Sequence, residues 1–77
     1  MIIIIGRYHA AADFVAERGL GRHQVDIAHD PVSARRALLG RDPDSTIIEY
    51  VYGFEDVMTP EISAMIGVLE AGRGRKK

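Results

Sequence analysis

Three short polar clusters hold the side chains of this chain best suited to chemistry. They are Gly6-Arg7-Tyr8-His9, His29-Asp30 and Tyr52-Gly53-Phe54-Glu55-Asp56. A glycine just before a helix start can present backbone N–H groups to an anion, and an arginine beside it can pair with a phosphate or carboxylate. His9 and His29, with Asp30 or Glu55, have the donors for a metal site or for acid–base work. Their spacing argues against both: no two stand at i, i+4 on a helix, and no metal-ligand spacing occurs. Only Gly6 is present where the G-x-G-x-x-G fingerprint needs three glycines, and the phosphate-loop pattern G-x-x-x-x-G-K-[ST] is missing. Ser33 and Ser45 lack the G-x-S-x-G context of a nucleophile. The candidate ligand-binding residues are therefore Gly6, Arg7, Tyr8, His9, His29, Asp30 and Glu55, with no catalytic set, no metal and no cofactor assigned.

Chain order decides whether these clusters meet. Ile2-Ile3-Ile4-Ile5 has no period-2 alternation, so both faces of that strand must be apolar, as in the centre of a parallel sheet. A first helix is predicted over residues 8–18, with Ala11, Phe14, Val15 and Arg18 on one stripe and Gly19 as its stop. The second strand is predicted over 24–28, where Val25 and Ile27 alternate with polar residues as on an edge. Asp30-Pro31 then caps a short helix over 31–39, ended by Gly40. A turn-rich loop leads to a third strand over 46–52. Thr59-Pro60-Glu61 opens a third helix carrying Ile62, Met65, Ile66 and Leu69 at i, i+3, i+4, i+7.

Alternating strands and helices imply a parallel sheet with right-handed crossovers. The all-isoleucine strand belongs in the middle, which gives strand order 2-1-3, a minimal doubly wound, Rossmann-like α/β core over residues 1–72. Ligands on such sheets bind at the carboxyl ends of the strands, and all three polar clusters follow a strand there. The third helix is expected on the first helix's side of the sheet. Tyr50 and Tyr52 share a strand face expected to lie under a helix, whereas Phe54, after Gly53, is expected to be exposed. These three residues are the candidate interface. Glu49, in mid-strand, reads as an edge residue facing water or pairing with an arginine.

Seventy-seven residues make one small domain with a marginal core. With no cysteine to form a disulfide or bind metal, association is the expected source of extra stability, so a homodimer is expected. The isoleucine run is too short for a membrane span and has no basic segment before it. No membrane association and a cytoplasmic setting are expected. Residues 1–72 carry six basic and eleven acidic side chains, a net charge of −5, while Arg73, Arg75, Lys76 and Lys77 form a basic tail over 73–77. That tail, with Arg22, Arg35 and Arg36, is the candidate contact for nucleic acid, and binding through it would be weak and salt-sensitive.

Taken as pieces, Ile2 to Gly6, Ala10 to Leu20, Val25 to Ala28, Leu38-Leu39-Gly40-Arg41, Ile47 to Gly53 and Pro60 to Leu69 resemble the short α/β proteins of unknown function encoded by bacteriophages of actinobacteria. The resemblance covers nearly the whole chain and brings no catalytic residues with it. It implies a viral accessory protein in the host cytoplasm that binds a host or phage protein. The reading is thus a non-catalytic, self-associating interaction module. The alternatives are a small-molecule or nucleotide-binding domain at the carboxyl edge of the sheet, and weak nucleic-acid binding through arginines and the tail.

Overall fold

The isoleucine run forms strand β1 (Ile2–Ile5), and Ile3, Ile4 and Ile5 are fully buried in the computed structural model, which describes residues 1–72. The strands β2 (Val25–Ala28) and β3 (Ile47–Tyr50) flank it in parallel, in the order β2-β1-β3. A strand covered on both faces has no solvated side, which is why isoleucine can occupy both sets of positions. The register places Ile3 between Asp26 and Ile48, and Ile4 between Ile27 and Glu49. The basic tail Arg73, Arg75, Lys76 and Lys77 lies outside the described residues.

Helix α1 (Tyr8–Arg18) covers the Ile4 face, helices α2 (Pro31–Leu38) and α3 (Pro60–Ala71) the other. The α1 layer is thin. Ala11 is its one fully buried residue, and Phe14 is shielded in part by the Arg18 guanidinium, 4.5 Å from its ring centroid. The opposite layer holds the main core: Ile3, Ile5, Ala34, Leu38, Val57, Ile62, Ile66 and Leu69 form one cluster. The expected place of α3 on the side of α1 is therefore wrong. Short, alanine-rich α2 supplies only Ala34, Ala37 and Leu38 to the layer, too little to cover Ile3, Ile5 and Ile48. Val57 and the Ile62–Ile66–Leu69 stripe complete that cover.

Two strands are shorter than their sequence patterns suggest. Gln24 belongs to the 3₁₀ turn Arg22–Gln24, where its side chain accepts a hydrogen bond from the Gly21 amide at 2.8 Å. The third strand stops at Tyr50, because the chain then bends into the 3₁₀ turn Phe54–Asp56 through Gly53, at φ 84°. Leu39 lies just past α2 and is 70% exposed. Glu49 is half-buried on the α1 face and makes no ion pair among the described residues.

Candidate functional site

Gly6 is the hinge between the central strand and α1. Its φ of 151° lies outside the range that residues with a Cβ readily adopt. Its amide donates to the Ala28 carbonyl at 3.1 Å, and the Arg7 amide donates to the Tyr52 carbonyl at 2.8 Å. These two bonds tie the strand-one exit to the ends of both neighbours. Both amides are therefore used by the fold itself.

Arg7 lies beside the third cluster. Its guanidinium meets Asp56 at 3.4 Å and sits 5.7 Å from the centroid of the Tyr52 ring, while its stem runs across Gly53. The pair is exposed on both sides, so it fixes direction more than it stabilises. Arg7 is also the residue before the first turn of α1, and it offers no side-chain cap to that helix. Tyr8 turns the other way and meets His29 edge-on, with ring centroids 5.9 Å apart.

Asp30 is occupied by helix capping. Its carboxylate accepts from the Ser33 amide at 2.7 Å, the Ser33 hydroxyl accepts from the Asp30 amide at 3.1 Å, and Pro31 starts α2. His29 Nδ1 lies 3.5 Å from the Asp30 carboxylate. The Ser33 amide, with the Ser33 hydroxyl adding to it, holds the Asp30 carboxyl below its ordinary value of 3.8. A carboxylate whose folded pKa is depressed adds stability above the ordinary value and loses it as the pH falls through the folded value. Thermal midpoints of the parent and of Asp30→Ala, measured against pH, are therefore expected to differ at neutral pH and to converge under acid below 3.8.

The seven candidate ligand-binding residues thus divide. Gly6 and Arg7 join the loop after β3, while Tyr8, His29 and Asp30 gather at the start of α2. The His9 and Glu55 side chains are exposed and make no ion pair or side-chain hydrogen bond with the described residues. No group of three histidines or acids is placed to hold a metal ion among the described residues.

The aromatic residues reverse the expected exposures. Tyr52, beyond the strand end, is 77% exposed, and Tyr50 is also open to solvent. Phe54 is half-buried against the main core and meets the Tyr50 ring edge-on at 5.3 Å. The 3₁₀ turn is the cause: it swings Phe54 back over the sheet while Tyr52 projects from the bend. Among the arginines named for nucleic acid, Arg35 pairs with Glu61 of α3 at 3.5 Å, and Arg22 and Arg36 are exposed.

A larger concavity than the cleft at residues 50–55 lies elsewhere. A groove of about 440 Å³ runs between α3 and the end of α2, lined by apolar residues such as Leu38, Ala64, Met65 and Val68 together with the charged Arg41 and Glu61. Val68 is 74% exposed at its lip. The sequence signal for it is in α3, which has only Glu61, Ser63 and Glu70 as polar side chains among its twelve residues. The core stripe uses Ile62, Ile66 and Leu69, and the remaining face still presents Ala64, Gly67, Val68 and Ala71 to solvent. A helix apolar all round is normally covered all round. No helix of the described residues is long and apolar enough to cross a membrane. No family model, curated protein or solved structure matches the chain, so its own geometry carries the functional reading.

Proposed function

We propose that this protein is a small non-catalytic module that works by protein–protein contact through the α2–α3 face, and that it self-associates through that face. The observation that carries the reading is the apolar groove with exposed Val68 on its lip. A two-fold contact needs one patch that is complementary to itself. A groove and a projecting apolar side chain on the same face meet that need, since each copy offers the other both parts. The chain's own last five residues, Arg-Gly-Arg-Lys-Lys, have no apolar side chain with which to fill the groove. A host or phage protein with an amphipathic helix would compete for the same surface.

Two of the polar groups at the sheet's carboxyl edge are engaged within the fold, which leaves fewer of them for an anion. Arg7 is paired with Asp56, and Asp30 caps α2. A nucleotide or other anion at that edge has one observation in its favour, the start of α1 without a side-chain cap. It would have to draw Arg7 away from Asp56 and Tyr52.

Analytical ultracentrifugation of the parent and of Val68→Glu tests the proposal. The parent is expected to sediment as a dimer of the 8.5 kDa chain in the micromolar range. A glutamate buried without a partner at the contact should weaken association roughly 100-fold. Circular dichroism should be unchanged, because Val68 is exposed in the single chain. A parent that stays monomeric, or a variant that dimerises equally well, overturns the self-association.

A further inference from the structure

We propose a second, separate site: the cleft formed by Tyr50, Tyr52, Phe54 and Glu55 binds the guanidinium or ammonium group of an extended basic segment. Three of the chain's five aromatic residues fall within residues 50–54. The bend after β3 gathers them around a cleft of about 300 Å³, which Val51 and Gly53 also line. Tyr50 and Phe54 meet edge-on and form an aromatic wall. Tyr52 stands out from the bend with most of its ring open to water.

The charge within the cleft is negative, with Arg7 along the Tyr52–Gly53 side. Glu55 lines it and has no partner among the described residues. Burial, followed by the negative charge of Glu70 on α3, pushes the Tyr50 phenol above its ordinary value. The one arginine at hand, Arg7, is already tied to Asp56. Aromatic faces and the unpaired Glu55 carboxylate around one cleft attract an organic cation, because the ring quadrupole and the carboxylate act in the same direction. The molecule holds its own example of the contact, with the Arg7 guanidinium 5.7 Å from the Tyr52 centroid.

Two sources can supply such a cation: the chain's own Arg73, Arg75, Lys76 and Lys77, or a basic stretch of another polypeptide. Ring resonances of Tyr50, Tyr52 and Phe54, followed by NMR in the full chain, separate them. The probes are N-acetyl-arginine amide and its neutral isostere N-acetyl-citrulline amide. If the full-length variant R73Q/R75Q/K76Q/K77Q shifts the rings and then binds the arginine amide saturably, the site is supported and the tail is its occupant. If those substitutions leave the rings unmoved while the arginine amide binds saturably, and roughly threefold more weakly to Glu55→Gln, the site is supported and its occupant is another chain. Equal shifts with the citrulline amide, or no saturable shift with the arginine amide in either protein, overturn the proposal. Tyr52→Leu, at an exposed position, provides a folded second variant that should lose binding.

Discussion

Gly6→Ala should destabilise the domain by roughly 3 kcal/mol or more, the upper range for a single substitution in a domain of this size. Two costs add. An alanine must adopt φ 151°, and its Cβ would stand 2.4 Å from the Val51 side chain. Backbone atoms also block the position, with the Val51 and Tyr52 carbonyl oxygens 2.8 Å and 2.9 Å away. Side chains can rotate away from a clash, but the Val51 carbonyl is held by the Phe54 amide and the Tyr52 carbonyl by the Arg7 amide. Relief therefore requires the strand-one exit to part from the loop after β3. Urea unfolding of the parent and variant measures the loss. A midpoint close to the parent's would show that the loop moves freely.

Ile3→Ala is the second large effect, about 2–5 kcal/mol from the lost transfer energy and the cavity left behind. Ile3 is fully buried in the cluster made with α2 and α3, and its neighbours in register are Asp26 and Ile48. Collapse into the space is limited, because backbone hydrogen bonds hold β1 on both sides. A chain of this length has roughly 4–12 kcal/mol of total stability, so the variant should lose a large share of it. The same unfolding measurement should show a lower midpoint with an unchanged slope.

The sheet was legible because its signals are local and strong. Four isoleucines leave no side for water, and Asp30-Pro31 and Thr59-Pro60 mark helix starts that the structure reproduces as caps on Ser33 and Ile62. The side chosen by α3 was not legible, because it depends on how much of Ile3, Ile5 and Ile48 the small residues of α2 leave uncovered. That is a question of area across the sheet, and no short window of sequence contains it. Tyr52 and Phe54 exchanged their expected exposures for a related reason. Period-2 alternation describes a strand, and the strand ends at Tyr50.

The candidate site was legible only in part. Chain topology brought Gly6 and Arg7 to the loop after β3, where Asp56 and Tyr52 take up the arginine. It did not reveal that Asp30 would be committed to capping. The groove was missed because the i, i+3, i+4, i+7 stripe of α3 accounts for its buried face and draws attention from Ala64 and Val68 on the other. In this helix, the informative feature is how few polar residues oppose the stripe.

The central claim is that copies of this chain meet through the α2–α3 face. An isotope-filtered NOE experiment on a mixture of labelled and unlabelled chains tests it most directly. Intermolecular contacts from the Val68 and Met65 methyl groups to Ala64 and Leu38 of the other copy are the predicted result. Contacts confined to Ile47 and Tyr50 on β3, or none between copies, would contradict it.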